Sequence, residues 1–246
     1  MKRARLDLLL VERGLAESRE KAKRLVLAGD VLVDGRPATK AGHEIPVDSA
    51  LTIRQPERFV GRGGFKLEEA FLRFPQLSAR ERVCVDIGAS TGGFTDCLLQ
   101  HGAARVHAVD VGKAQLHHRL AADPRVIIHD ACNARHLQPG DLPETPSLAV
   151  ADVSFISLRL ILPALDRILA VPADIVALVK PQFEAERHEV SHRGVIRDPA
   201  IRQRVVAAIR DFAESTLHWQ TQGICESPIR GPAGNVEFLI YWKKPS

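Results

Sequence analysis

Four cysteines in 246 residues, Cys84, Cys97, Cys132 and Cys225, are too few and too widely spaced for a CxxC pair or for the framework of a secreted disulfide-rich domain. They read as reduced thiols of a cytoplasmic protein. No uncharged run is long enough to cross a bilayer. Near the start, Arg5, Asp7, Glu12 and Arg13 interrupt the apolar stretch from Leu8 to Val11, so there is no signal-peptide core, and neither secretion nor a membrane partner is expected. The ten histidines are scattered, and the His117-His118 pair reads as surface helix. Without a clustered His/Cys ligand set, no metal is expected.

What is present is an uneven distribution of charge. Lys and Arg (34) exceed Asp and Glu (30), and residues 1–60 carry 12 basic and 9 acidic side chains, which is +3 of the whole +4. A basic opening quarter points weakly toward a polyanion partner. The length fits one large domain and one small one.

The chain opens with two helical patterns. Leu6, Leu9 and Leu10 form the first stripe, and Ser18 caps a second helix whose Ala22, Leu25 and Val26 share a face and which ends at Gly29. Opposite that face lie Arg19, Lys21, Lys23 and Arg24, a cluster able to meet several phosphates, with Arg3 and Arg5 upstream and Arg62 downstream as further candidates. Taken alone, the cluster equally describes a solvated charged face. A hairpin signal follows, with Val31 and Val33 alternating up to Asp34-Gly35 and a second strand over 51–54. The run from Ser18-Arg19 through Ala22, Leu25-Val26, Gly29 and Val31 to Val33-Asp34-Gly35 resembles the alpha-L RNA-binding module of a small-subunit ribosomal protein. Asp34 stands where that family often has Asn, which keeps the turn chemistry. The resemblance implies an α+β module over residues 1–58 that places its basic helix and hairpin against structured RNA.

Gly61-Arg62-Gly63-Gly64 reads as part of a flexible connection, residues 59–65, before a helix beginning near Lys66. From residue 82 short apolar runs over 83–87, 106–109, 126–129, 148–151 and 175–179 alternate with helical segments, which predicts an α/β domain over 66–246 with a parallel sheet. The runs over 219–226 and 236–242 leave no room for a crossover helix and predict an antiparallel hairpin on the sheet's edge. The expected sheet is thus seven-stranded and mostly parallel.

The first strand of this domain runs into Asp86-Ile87-Gly88-Ala89-Ser90-Thr91-Gly92-Gly93-Phe94. Glycines at a strand-to-helix turn let a ligand approach the backbone, but the spacing is not that of a pyrophosphate loop, and an acid beside it suits a cationic amino-acid group better. Asp110 and Asp130 end the second and third strands. Three carboxylates at successive strand ends suit a ligand with an amine, a ribose and an adenine amino group, such as S-adenosylmethionine, ahead of a dehydrogenase cofactor. Any one of them can also be a helix cap or turn former.

Phe65-Lys66-Leu67-Glu68, Ala151-Asp152, Val179-Lys180-Pro181 and Asn235-Val236-Glu237-Phe238 resemble the four segments that carry the Lys-Asp-Lys-Glu tetrad of FtsJ-like ribose 2′-O-methyltransferases. With both modules in order, nearly the whole chain is similar to the TlyA-type branch, also labelled haemolysin A, whose members methylate cytidine riboses in ribosomal RNA. The resemblance implies a Rossmann-like class I methyltransferase domain, S-adenosylmethionine as cofactor, ribosomal RNA or a ribosomal subunit as partner, and catalytic positions at Lys66, Asp152, Lys180 and Glu237. Chemistry supports those residue types, because a ribose hydroxyl is a poor nucleophile and needs placement and proton removal. Lys180 would act as base with Asp152 beside it, while Lys66 would position the hydroxyl or its phosphate and Glu237 would fix the lysine pair. Singly, Lys66 also reads as a helix-surface lysine, Lys180 as a loop residue and Glu237 as a strand residue facing solvent. Thr91, Gly93, Phe94 and Ser154-Phe155-Ile156-Ser157 read as pocket lining, with Phe94 and Phe155 equally suited to a core. Val153-Ser154-Phe155 and Pro181-Gln182-Phe183-Glu184 depart from the broader methyltransferase pattern and leave the target nucleotide open. The rivals are a non-catalytic RNA-binding assembly factor, which has no need of the tetrad, and a membrane-active haemolysin, which needs a membrane segment that is not seen.

Overall fold

The computed structural model describes residues 3–53 and 58–246, which divide into two units between Arg58 and Phe59. In the first unit, β1 (Arg3–Arg5), α1 (Leu6–Glu12), α2 (Arg19–Leu27), β2 (Val31–Val33), β3 (Arg36–Pro37), β4 (Glu44–Pro46) and β5 (Leu51–Ile53) follow in order. The expected stripes meet in its core, where Leu6, Leu9, Leu10, Ala22, Val26 and Val31 are buried together. Ser18 caps α2 by accepting the Lys21 N–H at 3.2 Å.

The hairpin is richer than the sequence signal. Asp34 and Gly35 take positive φ of 48° and 78°, as a tight turn requires, but the strand they lead into is β3, only two residues long. β5 pairs with the other edge of β2, so β2 is central in a three-stranded sheet. Arg36-Pro37 carries no alternation, and its proline withholds a ladder donor, which is why no strand was expected there. Arg54, the expected end of β5, lies outside the described residues.

The second unit holds α3 (Gly63–Arg73), β6 (Val83–Ile87), α4 (Gly93–Gln100), β7 (Arg105–Val109), α5 (His118–Ala121), β8 (Val126–His129), β9 (Leu148–Ala151), α6 (Leu162–Ile168), β10 (Ala173–Val179), α7 (Pro181–Glu184), α8 (Pro199–Leu217), β11 (Gln220–Glu226) and β12 (Phe238–Lys244). Its seven strands run in the order β11-β12-β10-β9-β6-β7-β8, with β6 to β10 parallel and β12 antiparallel to both neighbours. This is the Rossmann-like α/β fold expected, and β11 is the edge. β12 is inserted between β11 and β10. Both faces of the sheet are covered: along β10, Ile175, Ala177 and Val179 pack on one side with Trp219 and Trp242, and Val176 and Leu178 on the other with Leu67 and Phe94.

The segment read as a linker over 59–65 is part of this second unit. Phe59 is 1% exposed in its core and α3 starts at Gly63, three residues earlier than expected. The glycines serve close packing here: a Cβ on Gly64 would lie 2.2 Å from the Phe59 ring, and one on Gly93 would lie 2.9 Å from the Gly64 nitrogen.

One buried histidine predicts a pH dependence of stability. His107 on β7 is fully buried, its Nδ1 lies 3.1 Å from Nε2 of His129 on β8, and no described group pairs with its Nε2. Burial, with His129 alongside, pushes the His107 imidazole down to about 4, and burial lowers His129 as well. The unfolded chain therefore binds protons below about pH 6.5 that the folded chain refuses. Stability should fall as pH drops from about 6.5 toward 4, by on the order of 2 kcal/mol, and His107→Leu should flatten that slope in urea titrations; an unchanged slope would place the acid sensitivity elsewhere.

Candidate active site

The carboxyl ends of the parallel strands lie in register, with Ile87 opposite Ala151 and Ala151 opposite Ala177. β6 and β9 are the pair where strand order reverses, the place where ligands bind in open α/β sheets. Gly88 follows β6 with φ of +81°, and a Cβ there would lie 2.6 Å from the Asp152 carbonyl oxygen, so only glycine lets the loop pass the next strand end.

Four charged side chains from four segments converge above this point. Lys66 is 8% exposed on α3, and its Nζ donates to Glu237 Oε2 at 2.6 Å and lies 3.7 Å from Asp152 Oδ2. Lys180 Nζ lies 2.5 Å from Asp152 Oδ1 and donates to Ser154 Oγ at 2.8 Å. Glu237 is 1% exposed. Antiparallel pairing of Val179 with Phe238 explains the meeting, because it sets the residue after β10 beside the residue before β12. Two amino groups and two carboxyl groups alternate as Glu237, Lys66, Asp152, Lys180, each lysine reaching a carboxyl group. The dull readings of Lys66 as surface helix and Glu237 as a solvent-facing strand residue are excluded by burial.

Two cavities adjoin the chain of charges and share Gly88, Ser90, Asp152 and Ser154. The first, about 310 Å³, is lined by Lys66, Lys180, Glu237, Ala89, Thr91, Gly93 and Phe94, with Arg62 and Arg230. The second, about 380 Å³, is lined by Val109, Asp110, Asn133, Phe155 and Ile156 among others. A third, about 470 Å³, lies by Lys180 and Glu237 and is walled by Phe155, Phe183, Pro232 and Asn235.

The strand-end acids are not equivalent. Asp110 lines the second cavity and accepts from the Ser90 and Gly112 N–H groups at 2.8 and 2.7 Å, bracing the loop. Asp86 is fully buried beneath the loop and lines none of these three cavities; Thr95 Oγ1 donates to its Oδ2 at 2.7 Å, and burial pushes its carboxyl up to about 7. Asp130 is exposed and accepts the Ala114 N–H at 2.9 Å, away from these cavities. Cys132 and Asn133, just beyond it, form the wall instead. Gly92 is also off the wall, its φ of +97° and the Leu120 side chain excluding a Cβ.

The basic candidates divide in the same way. Asp7, whose side chain is fully buried, accepts from Arg5 Nε at 3.0 Å and from Arg19 Nε at 2.9 Å, and these guanidinium groups hold its carboxyl far below the usual range. Arg3 donates to the Glu44 carbonyl. Lys21, Lys23 and Arg24 are exposed on α2, and Arg62 is exposed at the start of α3. Arg230 was not expected from the sequence. It sits in the Pro/Gly-rich turn between β11 and β12, which the strand pairing and the bonds of Asn235 to Gly194 and Ile196 hold in the wall of the first cavity.

The FtsJ-like methyltransferase model matches residues 59–244 and the S4 domain model matches residues 4–50. The chain is 46% identical to the Mycobacterium tuberculosis 16S/23S rRNA (cytidine-2′-O)-methyltransferase TlyA, over 98% of this chain and 90% of that one. It is 42% identical to hemolysin A of Brachyspira hyodysenteriae, over 97% and 99%. A solved structure from Streptococcus thermophilus, named as a hemolysin, superposes with a TM-score of 0.75 at 44% identity, covering 100% of this chain and 90% of that one. The family model spans most of the chain and the relatives span nearly all of it. This protein therefore belongs to the FtsJ-like methyltransferases, joined to an N-terminal S4 domain.

Proposed function

We propose that this methyltransferase transfers a methyl group from S-adenosylmethionine to a ribose 2′-hydroxyl of ribosomal RNA, at a cytidine. The observation that carries the reading is the alternation of Lys66, Asp152, Lys180 and Glu237 at the junction of the cavities. The cofactor fits the residues present. A glycine-bounded loop lets it approach the backbone, Asp110 retains lone pairs for ribose hydroxyls, and Val109 and Ile156 give an apolar wall for adenine. Its sulfonium methyl supplies an activated electrophile.

The chain's own residues supply the rest. Lys66, fixed by Glu237, holds the hydroxyl or its phosphate in line for attack. The hydroxyl proton passes to Lys180 in its neutral amine form; the methyl–sulfur bond would break as the oxygen–methyl bond forms, with S-adenosylhomocysteine as the leaving group, and Asp152, lying between the two lysines, stabilises the positive charge that develops on Lys180. Phe155, 90% exposed beside Lys180, and Phe183, ring centroids 5.0 Å apart, present a surface on which a base can stack. The S4 domain supplies general RNA affinity through Lys21, Lys23 and Arg24. Among the described residues no helix is long and apolar enough to cross a membrane. The name of the TlyA relative supports both ribosomal RNA and cytidine as substrate.

Two tests follow from these roles. With labelled S-adenosylmethionine and purified ribosomal subunits, wild type should put label into RNA at a linkage that resists alkali. Lys180→Ala should lower the rate by about 10²–10⁴-fold while binding cofactor normally; no transfer to either subunit by wild type would sink the reading. Replacing Lys21, Lys23 and Arg24 by Ala should weaken RNA binding and flatten its salt dependence by about one unit of slope for each phosphate left without its cation, with cofactor affinity unchanged. Equal loss of both affinities would refute the division of labour.

A further inference from the structure

The segments that follow β9 and β10 are fastened together at two points. At one, Lys180 meets Asp152 and donates to Ser154 Oγ. At the other, Glu184 Oε2 accepts from Ser157 Oγ at 2.6 Å and Oε1 accepts from the Leu158 N–H at 2.7 Å. Between the two fastenings stands Phe155 with φ of +62°, a left-handed backbone that a bulky residue adopts only when its surroundings impose it. Its ring is 90% exposed, so burial of the side chain does not stabilise that conformation. Glu184 is half-buried, and burial raises its carboxyl while the Ser157 and Leu158 bonds oppose the rise. A carboxylate so placed serves the bonds it makes.

We propose that Glu184 is a positioning residue: by pinning Ser157 and Leu158 to the helical turn after Lys180, it holds the strained backbone that keeps Phe155 beside the reacting lysine, ready to stack on the target base. This rests on the ribose methyltransferase reading above. Glu184 lines none of the three cavities, so its effect passes through Phe155. Removing it lets the 153–157 segment relax, and the aromatic surface is no longer presented to the RNA.

The test is a double-mutant cycle on methyl transfer to ribosomal RNA, with the Kd for S-adenosylhomocysteine measured in parallel. Phe155→Ala should raise KM for RNA roughly 5- to 100-fold, the range of one base–aromatic stack, and Glu184→Ala should approach that effect with kcat and the Kd little changed. Adding Glu184→Ala to Phe155→Ala should cost nothing more. Glu184→Gln should restore near wild-type KM, because its amide can still accept from the Leu158 N–H and can donate to the Ser157 oxygen. Additive losses, a fall in kcat alone, or a Glu184→Ala variant with normal KM would overturn the positioning role. A wild-type protein inactive on RNA overturns the functional reading and this role with it, whereas additive losses in an active enzyme overturn this role alone.

Discussion

The site depends on one constraint: two lysines and two carboxylates must share a nearly dry place at the carboxyl edge of the sheet. Glu237 at 1% exposure is tolerable only because Lys66 Nζ lies 2.6 Å away, and Lys66 in turn lies between Glu237 and Asp152. Removing one partner of such a group leaves a buried charge uncompensated, at a cost of about 3–5 kcal/mol. The need for four segments to converge accounts for much of the architecture. β12 has to run antiparallel beside β10, since only that direction brings the residue before it against the residue after β10. α3 has to approach α4 closely enough to deliver Lys66, which is the use made of Gly64 and Gly93.

The same logic of compensated charge organises the small unit. Asp7 is buried and draws Arg5 and Arg19 toward it, so part of the basic character of the first 60 residues neutralises an internal carboxylate. What remains on α2 as an outward-facing cluster is Lys21, Lys23 and Arg24. Arginine suits the inward task because its fork donates along two directions while its charge stays at the rim, and lysines on the exposed face act as compact charges for phosphates.

The glycine-rich stretch around residues 61–64 shows where a local reading falls short. Glycine signals both freedom and the absence of a side chain, and those two meanings cannot be told apart along a chain. Phe59 packed on Gly64 resolves it in favour of the second. Strand-end aspartates pose a similar ambiguity. Asp110 reaches the cavity wall, Asp86 turns beneath the loop toward Thr95, and Asp130 braces the backbone at Ala114, although all three follow the same pattern of apolar strand and acid.

The sequence by itself determined the two-part organisation, the five parallel strands and closing hairpin and the capped basic helix, and its resemblance to a known family singled out four charged positions that the fold brings together. Each of these is written in local periodicity, in turn chemistry or in a motif of fixed residues. Only the tertiary structure decided which acids and bases face the cavities, that β12 lies inside the sheet with β11 at its edge, that Arg230 joins the wall, and that Glu184 fastens the segment bearing Phe155. Those features depend on residues far apart in the chain meeting in space. The register of β10 with β12 and the packing of α3 on α4 bring them together, and no local pattern encodes such distances.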